Sequence, residues 1–127
     1  MGAKKKILVV DDMYIIRNMV RHTLSKAGYD VFMAENGRDA LSFFSSDRIP
    51  PDLVVCDITM PVLNGLEFLQ ELKRLDRGKN TPVIFLTADG QKASVVKALQ
   101  MGCNDYAVKP YKPEVLLKKV ERLLKPC

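Results

Sequence analysis

Four short apolar runs in this chain each stop at a side chain that ionises or carries a hydroxyl. Ile7-Leu8-Val9-Val10 ends at Asp11-Asp12, and Leu53-Val54-Val55-Cys56 ends at Asp57. Val83-Ile84-Phe85-Leu86 ends at Thr87, and the weaker run Tyr106-Ala107-Val108 ends at Lys109-Pro110. Each residue alone has an ordinary structural use: Asp12 as a helix cap, Lys109 as a surface lysine. Together they define a chemistry. Three carboxylates in one place repel each other and need a cation to stay ionised. With only oxygen donors that cation is hard, and Mg²⁺ suits such a site because it binds through few carboxylates and keeps waters or phosphate oxygens in its shell. Mg²⁺ and Lys109 would neutralise phosphoryl oxygens, Thr87 would hydrogen-bond one of them, and a carboxylate would be the nucleophile.

That chemistry requires a scaffold that delivers all four run ends to one edge. The apolar runs at 7–10, 53–56 and 83–86, with weaker ones at 31–34 and 106–108, do not alternate with polar residues, as expected of parallel strands buried on both faces. Between them lie helical spacings: Ile15, Ile16, Met19, Val20, Leu24 and Ala27 up to Gly28; Ala40, Leu41 and Phe44 after Asn36-Gly37; Leu66, Leu69 and Leu72 after Gly65. Val95, Val96 and Leu99 run up to Gly102, and Val115, Leu116, Val120, Leu123 and Leu124 up to Pro126. These stripes are expected to be core faces. Five strands alternating with five helices predict an α/β, doubly wound five-stranded parallel sheet with right-handed crossovers. Ligands of such sheets bind beyond the carboxyl ends of the strands, where the four run ends lie.

The chain has 127 residues, enough for one domain spanning 1–127 with a core that needs neither disulfides nor structural metals. Its apolar runs of four residues are far short of the roughly 20 needed to cross a bilayer, and no secretory signal follows the basic N-terminus, so a cytoplasmic domain without membrane insertion is expected. The cysteines Cys56, Cys103 and Cys127 form no C-x-x-C, and His22 is the only histidine. A zinc site and the common Ser-His or Cys-His catalytic arrangements are therefore excluded. The charge is uneven: residues 1–89 sum to zero, while 90–127 carry eight basic and three acidic side chains and hold the whole net charge of +5. The segment 90–127 reads either as a solvated helix surface or as a docking face for an acidic partner.

The sequence resembles the receiver domain of bacterial two-component response regulators, over essentially its whole length. The matching pieces are Asp11-Asp12, Asp57-Ile58-Thr59-Met60-Pro61 with Gly65, Leu86-Thr87-Ala88, and Asp105-Tyr106-Ala107-Val108-Lys109-Pro110. The resemblance implies a flavodoxin-like fold of the CheY-like kind and a signalling switch that catalyses only its own phosphorylation and dephosphorylation. It implies that Asp57 accepts a phosphoryl group from a histidine kinase. It further implies that Asp12, Asp57 and the backbone carbonyl of Thr59 contact Mg²⁺, with Asp11 acting mainly through a metal-bound water. Lys109 would meet the phosphoryl group, Thr87 would move toward it, and Tyr106 would turn inward behind Thr87. Pro110 matches a cis-proline position. Thr59 and Asp89 flank the site and are expected to set the lifetime of the phosphoryl group. Asn64 and Tyr111 depart from the more common Asp and Phe.

With no output segment after the receiver pattern, the resemblance favours a stand-alone chemotaxis-type regulator whose 90–127 face binds a flagellar-motor or other signalling protein. A phosphorelay intermediate and the receiver of a larger DNA-binding regulator fit the same residues. A Mg²⁺-dependent aspartyl phosphatase of the haloacid-dehalogenase kind would need Asp-x-Asp after the first strand, where this chain has adjacent Asp11-Asp12. Nucleic-acid binding by this domain alone would rest on lysines without a recognition motif.

Overall fold

The computed structural model describes residues 4–45, 47–60, 62–88 and 92–125. Five strands, β1 (Lys6–Val10), β2 (Asp30–Ala34), β3 (Leu53–Asp57), β4 (Val83–Thr87) and β5 (Asp105–Val108), form one sheet in the order β2-β1-β3-β4-β5. All four pairings are parallel. The helices are α1 (Tyr14–Lys26), α2 (Gly37–Leu41), α3 (Gly65–Leu72), α4 (Lys92–Gln100) and α5 (Pro113–Leu124), and a 3₁₀ turn, Ser42–Phe44, extends α2. The doubly wound architecture expected from the alternating periodicities is the one observed.

Alternate residues of the central strands feed two cores. Leu8, Val10, Val54, Cys56 and Phe85 pack with Phe68 and Leu72 of α3 and Ala98 of α4 on one face. Ile7, Val9, Val55 and Ile84 pack with Val20 and Leu24 of α1 and Leu116 and Val120 of α5 on the other. Strands buried on both sides have no polar positions to alternate with, which is why their runs are continuous. That expectation does not extend to β2 and β5. They are the sheet edges, and Phe32, Met33, Tyr106 and Val108 are exposed there.

The helix stripes are narrower than expected. In α1 only Val20 and Leu24 are buried, while Ile15 is 67% and Met19 51% exposed. Successive helical residues point about 100° apart, so Ile15 and Ile16 cannot both face a flat sheet. Val96, Leu99 and Val115 are exposed for the same reason. The helix ends follow local chemistry. Gly28 takes a φ of 101° just after α1, a conformation that costs other residues because of their Cβ. Asn64 caps α3 by accepting from the Glu67 N–H at 2.9 Å, while the Glu67 carboxylate accepts from the Asn64 N–H at 3.0 Å. The amide does here what an aspartate would do, so this departure leaves the helix start intact. Among the described residues no helix is long and apolar enough to cross a membrane.

Candidate functional site

The register of the sheet brings the run ends together. Val10 lies beside Cys56, Asp57 beside Leu86, and Thr87 beside Val108, so Asp11, Asp57, Thr87 and Lys109 all emerge at the carboxyl edge of adjacent strands. Among the described residues, Asp11, Asp57 and Thr87 are the three buried polar side chains, in a core that is otherwise apolar. Asp12 is exposed. It does not cap α1, whose capping position is Met13 without a side-chain hydrogen bond.

One carboxylate oxygen from each of Asp11, Asp12 and Asp57 lies within 4.8 Å of the other two. The Lys109 ammonium sits between two of them, with Nζ 3.1 Å from Asp11 Oδ2 and 3.3 Å from Asp57 Oδ1. The Met13 N–H donates to Asp11 Oδ1 at 2.9 Å. Burial pushes the Asp57 carboxyl above the ordinary carboxylate range; Lys109 opposes the shift, Asp11 reinforces it, and the Thr59 N–H opposes it without cancelling it. A carboxylate held in partly desolvated surroundings beside another negative charge is set to react or to take a cation. The donor set fits Mg²⁺: it is all oxygen, and one member, Asp12, stands open to solvent where coordinated water would remain.

Lys109 is the built-in counter-charge of this cluster. Lys109→Met is expected to destabilise the fold by about 2 kcal/mol in metal-free buffer, because Asp11 and Asp57 would be left facing each other uncompensated. Added Mg²⁺ should recover most of that loss. Denaturant unfolding with and without Mg²⁺ checks this, and an unchanged midpoint without metal would show that the ion pairs do not restrain the carboxylates.

Thr87 is buried, and its Oγ1 donates to the Ala88 carbonyl at 3.2 Å. Thr59 is placed beside Asp57 through its N–H; Asp89 lies outside the described residues. Tyr106 does not join the acidic cluster. It is 39% exposed and lines a cleft of about 300 Å³ with Thr87, Ala88, Val95, Val96 and Leu99. The Lys109-Pro110 bond is cis. His22 is exposed, and burial pushes the Cys56 thiol, and less strongly the Cys103 thiol, above the ordinary range, so neither cysteine offers a ready nucleophile.

The basic segment 90–127 is less uniformly available than its composition suggests. Lys109 is turned into the acidic cluster. Asp105 accepts from Lys119 at 2.9 Å, from Arg122 at 2.7 Å and from the Tyr106 N–H at 2.8 Å. Burial disfavours ionisation of Asp105, but these hydrogen bonds outweigh it and hold its carboxyl below the usual range. The network ties α5 to β5. Exposed charge on this side therefore comes chiefly from Lys92, Lys97, Lys112, Lys118 and Lys125, beside exposed Val96, Leu99, Val108 and Val115.

Two relations at the site were not visible in motif spacing, although Gly65 itself belongs to the matching pieces. Gly65 presses the start of α3 onto the end of β3, donating its N–H to the Ile58 carbonyl at 2.7 Å. Arg17 Nη1 reaches back to the Asp11 carbonyl at 2.7 Å. Side chains near a helix start lean toward its N-terminus, so a cation within the first turn after Asp11-Asp12 was the available signal.

A family model described as the response regulator receiver domain matches residues 7–121. The chain is 39% identical to the chemotaxis protein CheY1 of Helicobacter pylori, over 94% of this chain and 96% of that protein. It is 42% identical to a probable transcriptional regulator, ycf27, of Cyanophora paradoxa, over 96% of this chain but 49% of that protein, so it spans about half the length of that relative. The solved structure of the chemotaxis protein CheY4 of Vibrio cholerae superposes with a TM-score of 0.87 at 38% identity, covering 96% of this chain and all of that one. With the acidic cluster and its lysine at the carboxyl edge of a β2-β1-β3-β4-β5 sheet, the chain belongs to the response regulator receiver domains and is CheY-like.

Proposed function

We propose that this chain is a phosphorylation switch in which Asp57 takes a phosphoryl group from the phosphohistidine of a histidine kinase, residues 1–127 acting as one receiver unit. The observation that carries this reading is the Lys109 ammonium lodged between Asp11 and Asp57. An Asp57 oxygen would attack phosphorus, and the bond to the donor nitrogen would break with its electron pair leaving on the imidazole. Mg²⁺, when bound, would supply charge neutralisation for the phosphoryl oxygens. Asp12, Asp57 and the Thr59 carbonyl are the protein groups assigned to hold it, with Asp11 reaching it through water. Lys109 would pair with one phosphoryl oxygen and Thr87 would donate to another.

A Thr87 drawn toward the phosphoryl group would leave room beside the cleft that Tyr106 already lines, and an inward Tyr106 would reshape the surface of α4, β5 and α5. Exposed lysines and apolar residues there suit an acidic, partly apolar protein partner in the cytoplasm. The extensive match to CheY1 favours a chemotaxis-type role. The half-length matches to ycf27 and to the response regulator MprA support a second reading, as the receiver of a longer regulator.

The test is intact-protein mass after incubation with Mg²⁺ and acetyl phosphate. One phosphoryl adduct, absent when Mg²⁺ is chelated, is expected. If neither an adduct nor beryllofluoride trapping occurs in a chain that binds Mg²⁺, the phosphoacceptor reading is wrong.

A further inference from the structure

We infer that Arg17 is a positioning residue for the cation site: by holding the main-chain carbonyl of Asp11 it fixes the direction in which the Asp11-Asp12 pair presents its carboxylates. This rests on the reading of the acidic cluster as a Mg²⁺ site.

Asp11 is restrained on every polar group. Its N–H donates to the Ala34 carbonyl at 3.2 Å, its carboxylate accepts from the Met13 N–H and from Lys109, and its carbonyl accepts from Arg17 at 2.7 Å. Asp12 is different. It is exposed, and among the described residues no hydrogen bond steadies its side chain. Its direction is therefore inherited from the backbone. The Asp11 carbonyl belongs to the planar peptide that joins Asp11 to Asp12, so a clamp on that oxygen also sets the orientation of the Asp12 N–H and Cα. Arg17 is itself well placed for this work. It is half-buried in the first turn of α1, its N–H donates to the Met13 carbonyl at 3.0 Å, and its guanidinium lies 5.6 Å from the Tyr14 ring centroid. A planar guanidinium with several fixed donors holds a carbonyl more rigidly than an ammonium would.

Charge and position predict opposite results when Arg17 is removed. If only its charge mattered, losing a cation near three carboxylates would make the cluster more negative and tighten Mg²⁺ binding. If the clamp matters, the carboxylates lose their common aim and binding weakens.

The experiment is an NMR titration of the full chain with MgCl₂, with amide hydrogen exchange recorded in metal-free buffer. Arg17→Met is expected to raise the Mg²⁺ dissociation constant roughly tenfold, the scale seen when groups that orient metal ligands are removed. It should also speed exchange of the Met13 amide, whose bond to Asp11 Oδ1 depends on the same loop. Arg17→Lys keeps the charge and loses the planar fork, and should weaken binding by a smaller factor. Arg21→Met removes the same charge one turn along α1 and should not weaken binding. Equal or tighter binding by Arg17→Met overturns the role of Arg17. If that variant does not fold, wild-type affinity and Met13 exchange in Arg17→Lys overturn it instead. Failure of the unaltered chain to bind Mg²⁺ overturns the cation reading itself.

Discussion

Gly65→Ala is expected to cost the fold about 3 kcal/mol and to lower the melting temperature by roughly 10 °C. A Cβ at this position would stand 2.5 Å from the Asp57 carbonyl oxygen, 2.8 Å from Ile58 Cα and 2.8 Å from the Phe85 ring. Two of these neighbours are backbone atoms of the strand end that carries the candidate phosphoacceptor, and they cannot swing aside as a flexible side chain would. Relief requires α3 to lift off β3, which strains the Gly65 N–H to Ile58 carbonyl bond. Gly28→Ala provides the contrast. Nothing lies within 4 Å of its would-be Cβ, so only its positive φ is at stake, at about 1 kcal/mol. Thermal unfolding of the two variants separates crowding from backbone strain. Comparable losses would show that α3 is not wedged against the site. Gly65→Ala should also weaken phosphoryl acceptance, because the Asp57 backbone moves with the relief.

Asp57→Asn is expected to abolish the phosphoryl adduct while making the metal-free protein more stable by about 1 kcal/mol, a size common for relief of a functional-site conflict. Burial and the neighbouring Asp11 raise the Asp57 carboxyl above its usual range despite Lys109 and the Thr59 N–H. A group whose folded pKa is raised favours the folded state when protonated. Its stabilising contribution is fully present below the ordinary carboxylate range and is lost as pH rises through the folded value. At neutral pH the ionised carboxylate is therefore a cost, which the neutral amide removes. Denaturant unfolding of both proteins across acidic to neutral pH checks the sign: the advantage of the Asn variant should shrink as pH falls. Mg²⁺ should then stabilise the parent more than the variant, because ligand binding to the folded state adds stability that grows with the logarithm of the affinity. A variant that still accepts one phosphoryl group would place the nucleophile elsewhere, while one less stable than the parent at neutral pH would show that the pairing with Lys109 outweighs burial.

Asp11, Asp12, Asp57, Thr87 and Lys109 were legible as a group because each follows an apolar run, and a parallel sheet sends all such run ends to one edge. The same logic carried the strand count, since β1, β3 and β4 are buried on both faces and their sequences contain no alternation to mislead. It was weaker at β2 and β5. Edge strands bury one face only, and which strand becomes an edge depends on the order β2-β1-β3-β4-β5, which is a property of the assembled sheet. Likewise, periodicity marked Ile15, Met19, Val96 and Leu99 as candidates for burial without saying which part of each apolar arc would meet the sheet. The basic excess of 90–127 was countable, but its division between the site, the Asp105 network and the exposed face was not.

By itself, the sequence determined the fold class and singled out the side chains of the candidate site, because both follow from local periodicity and from residue type at strand ends. Only the tertiary structure decided that Lys109 lies between Asp11 and Asp57, that Arg17 clamps the Asp11 carbonyl, that Tyr106 faces outward and that Gly65 is wedged against Asp57. Those relations join residues from different strands and helices, and their distances are set by how the sheet twists and how the helices pack on it, which no local stretch of chain encodes.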